Sequence, residues 1–170
     1  MTEPAHPAGD DARALQRPQG AEACAALAVR LLEVARERVR ILAQRADLRY
    51  LATDEIVDAL RAWLVQRQRA RLEILLAPDV ARDERGRPLW NLAQRLTSFV
   101  TVHRLGDEDA QFGEAWLTVD ERGYLHRPQI ERLEAQACLD NPSRARELNQ
   151  RFASLWLASE PEPELRRLGA

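Results

Sequence analysis

Apolar positions along this chain recur alternately every three to four residues and every second residue, the patterns of helices and of strands. Ala25, Leu27, Ala28, Leu31, Leu32 and Ala35 predict a helix that begins near Ala21. The period then shortens. Val39, Ile41 and Ala43 alternate with Arg38, Arg40 and Leu42, which predicts a strand entered directly from the helix. Thr53 or Asp54 can cap a second helix whose apolar face is Ile56, Val57, Leu60, Trp63 and Leu64. Leu72, Ile74, Leu75 and Leu76 follow as a strand apolar on both faces, as in the interior of a parallel sheet. A loop over Asp79 to Pro88, a short helix over Leu89 to Leu96 and a strand ending in His103, Arg104 and Leu105 come next. Trp116 to Val119 and Gly123 to Arg127 read as a hairpin across Asp120 to Gly123, and Leu133 to Leu139 as a further strand. A last amphipathic helix after Asn141 and Pro142 carries Ala145, Leu148, Phe152, Leu155 and Trp156. The rhythm predicts one α/β domain with a central mixed, largely parallel sheet flanked by helices.

The expected boundaries are a Pro-, Gly- and Ala-rich flexible tail over 1–20, with His6 solvated in it, the domain over 21–158, and a C-terminal tail over 159–170. A chain of 170 residues has room for one sizeable core. Apolar residues make up 45% and charged residues 31%, and the net charge of -2 gives no global attraction to polyanions. A nucleic-acid partner would therefore require a local basic patch. Cys24 and Cys138 lie far apart with no metal-ligand spacing, and the first residues lack the basic start and apolar run of a secretory leader. The expectation is a cytoplasmic protein with no membrane association.

Candidate chemistry is sparse. No HExxH, GxSxG, phosphate-binding loop, dinucleotide fingerprint or paired-cysteine motif occurs, and no cofactor is expected. His103 and His126 both fall in predicted strands, where a packed histidine is the commoner outcome. Asp47, Asp54, Asp79 and Asp120 could converge at strand ends as metal ligands, but Asp54 as a helix cap and Asp120 as a turn former is the stronger reading, so no metal is expected. Arg36, Arg38, Arg40, Arg45 and Arg49 crowd the first strand, and Arg61, Arg67, Arg69 and Arg71 the approach to the second. Interspersed Glu33, Glu37, Asp47, Glu55, Asp58 and Glu73 give these the look of an ordinary mixed-charge surface. Arg45, Arg49 and Arg104 remain candidates for a phosphorylated ligand or a nucleic-acid backbone. Trp63, Trp90, Phe152 and Trp156 lie on apolar helix faces, and Trp116 meets Tyr124 only if the hairpin register permits.

The stretch FGEAWLTVDERGYL, Phe112 to Leu125, resembles the catalytic hairpin of the phospholipase D superfamily. That motif is His-any-Lys, four residues, then Asp, on a strand followed by a turn and a second strand. With Asp120 as its aspartate, the lysine position falls on Ala115 and the histidine position on Gly113. Glycine and alanine supply no nucleophile, proton or cation, all of which phosphodiester cleavage needs. The order of elements from Ala21 to Leu105 and the Phe152-to-Trp156 ending of the last helix are also similar to such a domain, over about Ala21 to Leu157. The whole resembles a family of small bacterial proteins with a degenerate form of this fold. The resemblance implies a phospholipase D-like scaffold or protein-interaction module without catalysis. It also implies self-association as a homodimer, because active members pair two half-sites about a twofold axis. The alternative is a phosphodiesterase, or a phosphate- or nucleic-acid-binding protein, using His103 or His126 with nearby arginines.

Overall fold

The computed structural model describes residues 8–166. His6 and the outermost residues of both expected tails lie outside them. In chain order the elements are α1 (Ala8–Arg13), α2 (Gly20–Val34), β1 (Arg38–Ala43), α3 (Leu48–Leu51), α4 (Asp54–Gln66), β2 (Arg71–Leu76), α5 (Arg87–Arg95), β3 (Val100–Arg104), β4 (Ala115–Val119), β5 (Gly123–Arg127), β6 (Gln136–Cys138), α6 (Pro142–Leu157), β7 (Glu160–Pro161) and α7 (Pro163–Arg166). Thr53 caps α4 as expected, its hydroxyl accepting from the Ile56 N–H at 3.4 Å.

All seven strands form one sheet in the order β6-β5-β4-β1-β2-β3-β7. The sheet is mixed. Its parallel part is the central run β1, β2 and β3, while β4, β5, β6 and β7 each join antiparallel. Two crossovers through α4 and α5 produce the parallel run, whereas the tight turn at Asp120 forces β5 back along β4. Helices α2, α4 and α5 pack side by side on one face, and α6 covers β4, β5 and part of β1 on the other. This double cover explains why every residue of β4 and β5 is buried. The hairpin register sets Trp116 opposite His126 and Thr118 opposite Tyr124, so Trp116 and Tyr124 are not partners.

Both segments expected as tails take part in the sheet within the described residues. Gln16 exchanges backbone hydrogen bonds with Ala137 at 2.7 and 2.9 Å, and Ala135 N–H donates to Pro18 O at 3.0 Å. At the other edge, β7 pairs with the end of β3, and Glu162 N–H donates to Val102 O at 3.0 Å. Each segment covers an otherwise open strand edge, which is a backbone interaction that composition does not report.

Where α2 crosses the hairpin, Gly123 leaves no room for a side chain. A Cβ there would stand 2.7 Å from the Leu31 side chain, 2.9 Å from that of Val119 and 3.0 Å from the Leu139 carbonyl oxygen. Gly123→Ala is expected to lower stability by about 1–3 kcal/mol through overpacking, read as a lower urea midpoint with an unchanged slope.

Candidate functional site

The three positions of the FGEAWLTVD motif lie in different surroundings. Asp120 sits in the β4–β5 turn with a left-handed backbone, φ 52°. Its carboxylate accepts the backbone N–H groups of Arg36, Glu37 and Arg38 at 2.9, 2.9 and 3.0 Å. It therefore fastens the α2–β1 junction to the hairpin. Gly113 and Ala115 lie at the opposite end of β4, beside the C-terminal end of β1. Open space surrounds the Gly113 Cα where a side chain would start, whereas Ala115 is buried. The Gln44 amide donates to the carbonyls of Phe112 at 2.7 Å and Glu114 at 3.1 Å, which pins this loop to β1.

Directly across the ladder from Ala115 stands Arg127. Its side chain is fully buried against Asp47, with Nε donating to Oδ1 at 2.9 Å and a terminal nitrogen to Oδ2 at 2.8 Å. The other terminal nitrogen donates to the carbonyls of Gln129 at 2.8 Å and Arg132 at 3.2 Å. Asp47 also accepts from Gln44 N–H at 2.8 Å and from the Tyr50 hydroxyl at 3.1 Å. Burial works against the Arg127 charge, but the hydrogen bonds and charge of Asp47 outweigh it and hold the guanidinium above its usual range. The Cys24 thiol beside this pair is pushed up to about 11, chiefly by burial and then by the Asp47 charge. That position holds no ready thiolate.

On the opposite face, His126 is buried under α6 with both ring nitrogens engaged. Its Nε2 donates to Glu114 Oε1 at 2.8 Å, and its Nδ1 accepts from Arg144 at 3.0 Å. Glu114 also pairs with Arg151, whose guanidinium lies 4.9 Å from the centre of the Trp116 ring. Burial first, and then the Arg144 charge, hold the His126 imidazole below its ordinary range against the pull of Glu114. Burial opposes ionisation of Glu114, but the hydrogen bonds from Arg151 and His126 outweigh it and hold the carboxyl below the usual range. His103 lies on β3, three strand spacings from the hairpin, about 14 Å. Its ring stacks on Trp156 with centroids 3.9 Å apart, and its Nδ1 meets Ser159 Oγ at 2.8 Å.

The four candidate metal-binding aspartates have separate duties. Asp47 pairs with Arg127, Asp54 opens α4, Asp79 occupies a left-handed turn position, and Asp120 binds backbone. No group of three or more His, Cys, Asp or Glu side chains stands in a metal-holding arrangement among the described residues. Arg104 pairs with Glu160 on β7 and does not meet Arg45 and Arg49. Those two instead line a cavity of about 640 Å³ at the C-terminal end of β1, with Arg85. Sequence reasoning missed Arg85, the Asp47–Arg127 pair and the Glu114–His126–Arg144 chain. One signal was present: Arg127 continues the inward set Gly123 and Leu125, so a cation occupies a core position and demands a buried partner.

Comparison with solved structures finds the fold elsewhere. The fold is that of phospholipase D-like proteins. Nuc of Salmonella typhimurium, a phospholipase D family member, superposes with a TM-score of 0.66 at 14% identity, over 88% of this chain and 97% of its own. NucT of Helicobacter pylori gives 0.61 at 10% identity, over 88% and 100%. TrmBL2, an archaeal chromatin protein with a novel mode of DNA binding, gives 0.63 at 16% identity over 87% of this chain. The chain spans about half of that protein's length, 54%. At such identities the likeness concerns the fold alone. No curated protein matches by sequence. The chain belongs to the family described as a domain of unknown function (DUF7931), which it matches over residues 20–168.

Two outcomes follow from the geometry. Arg127→Met, which strands the Asp47 carboxylate in the core, is expected to cost about 3–5 kcal/mol, whereas Asp47→Leu combined with Arg127→Met costs clearly less; urea unfolding of both variants measures the difference. The second concerns pH. His126 is held neutral in the folded state, so below its ordinary value of 6.5 the unfolded chain takes up a proton that the folded chain refuses. Its contribution is complete above that value and is lost as pH falls through the lower folded-state pKa. Urea midpoints should therefore drop on acidification from about pH 7 toward 5, and His126→Gln should flatten that slope.

Proposed function

We propose that this protein is a non-catalytic phospholipase D-like scaffold, a protein-interaction module that pairs with a second copy of itself. The observation that carries the reading is Gly113 and Ala115 at the positions of the histidine and lysine, with Ala115 buried opposite the Asp47–Arg127 pair. A phosphate approaching this point meets neither nucleophile nor general acid, and a lysine at position 115 would have to share the interior with the Arg127 cation. Substitute chemistry has little support: His126 has no ring nitrogen left for proton transfer, and His103 stands three strands away. Asp120, at the far end of β4, spends its carboxylate on three backbone donors.

Self-association follows from the paired architecture of the superfamily, in which a single-copy chain must supply its own partner. The reading places the protein in the cytoplasm and extends the domain beyond 21–158 to the paired segments at Gln16 and Glu160–Pro161. No helix among the described residues is long and apolar enough to cross a membrane, and Cys24 and Cys138 are free thiols.

The test joins two measurements. The purified protein is expected to hydrolyse bis(p-nitrophenyl) phosphate no faster than buffer, and sedimentation equilibrium is expected to give twice the chain mass. Turnover that disappears in His103→Ala or His126→Gln would overturn the non-catalytic reading, and a monomer at all concentrations would remove the self-pairing.

A further inference from the structure

Beyond the degenerate hairpin, the cavity at the C-terminal end of β1 has the make-up of a binding site. We infer that it binds the phosphate group of a small phosphorylated molecule of mononucleotide size, independently of any hydrolysis. Its volume of about 640 Å³ suits one small ligand rather than a polymer groove. It lies where the central parallel strands end, the usual ligand-binding edge of an open α/β sheet.

Three guanidinium groups line it, each from a different segment. Arg45 follows β1, Arg49 stands on α3, and Arg85 lies in the short turn ahead of α5. Arg85 is set by Asp83, which accepts its Nε at 3.1 Å and a terminal nitrogen at 2.9 Å, while Arg45 Nε lies 3.6 Å from the same carboxylate. One aspartate thus orients two arginines and leaves each about half exposed. Arg49 is exposed and has no ion-pair partner among the described residues. Planar guanidinium donors match the tetrahedral oxygens of phosphate, and a preset pair loses little side-chain freedom on binding. The first turn of α2, Gly20 and Ala21, forms another wall, with no side-chain cap from Gln19. Its helix dipole adds to the attraction for an anion, offset in part by Glu22 in the same turn.

The remaining walls say what the phosphate would be attached to. Ile130 and Leu133 are apolar and can lie against a ring, and Glu131 can accept from a hydroxyl or amino group. A second anionic group would meet Glu131 unfavourably. The loop that bears these residues is anchored from beneath by Arg127, through its bonds to the carbonyls of Gln129 and Arg132. The same buried pair anchors the Arg45–Asp47 turn through Asp47, so the two walls share one support.

Titration calorimetry of the whole protein with adenosine monophosphate, and separately with inorganic phosphate, tests the inference. Adenosine monophosphate is expected to bind saturably, and more tightly than inorganic phosphate because of the apolar walls. Arg49→Glu should raise its Kd by at least about tenfold, since a charge-assisted hydrogen bond is lost and a repulsion added. Arg69→Glu, the same charge change at the far end of β2, should leave it unchanged. No binding by either probe at millimolar concentration, or equal weakening by the two variants, would overturn the inference. Tighter, steeply salt-dependent binding of a short single-stranded oligonucleotide than of adenosine monophosphate would overturn it in favour of a nucleic-acid surface.

Discussion

The buried pair of Asp47 and Arg127 is the interaction on which the upper end of this domain depends. Neither side chain touches solvent, and each charge is neutralised only by the other and by backbone or hydroxyl groups around it. A charge in the interior is tolerated when such partners are complete and is costly when one is removed. The pair therefore fixes the β1–α3 turn, the end of β5 and the β5–β6 loop relative to one another. Those three segments enclose the space beside Ala115 and form two walls of the arginine-lined cavity.

The two faces of the hairpin illustrate different uses of charge. Toward α2, Arg127 and Asp47 form a closed set sealed by Tyr50 and Cys24, both of which are held in their neutral forms by burial first and by Asp47 second. Toward α6, Glu114, His126, Arg144 and Arg151 form a chain that begins in the core and ends at arginines exposed by about a third. Arg151 also spreads over Trp116, so the chain covers an aromatic ring as well as joining α6 to the sheet. The residues flanking Gly113 and Ala115 are thus engaged in holding layers together.

Much of this arrangement could be read from periodicity. The alternation of Val39, Ile41 and Ala43, the two-sided Leu72 to Leu76 strand, the Thr53 cap and the stripe from Ala145 to Phe152 each reflect local rules of backbone geometry and burial. The hairpin was legible from Asp120 to Gly123 between two apolar runs. The small residues Gly113 and Ala115 were legible too, because side-chain type is a fact about composition. The backbone pairing near the two ends was not legible. Gln16 and Glu160 have no apolar pattern to announce a strand, since each is recruited by unpaired backbone groups on a neighbouring edge.

By itself, then, the sequence determined the elements, their order, the class of fold and the identity of Gly113 and Ala115 ahead of the hairpin, because these depend on nearby residues and on side-chain type. Tertiary structure decided which charges meet. Asp47 and Arg127 are 80 positions apart, and Arg45 and Arg49 are separated from Arg85 along the chain by α4 and β2. An arginine in a charge-rich sequence looks alike whether it ends in solvent, in the core or at a cavity wall. Only the folding of strands into register, with the desolvation that accompanies it, makes those three fates different.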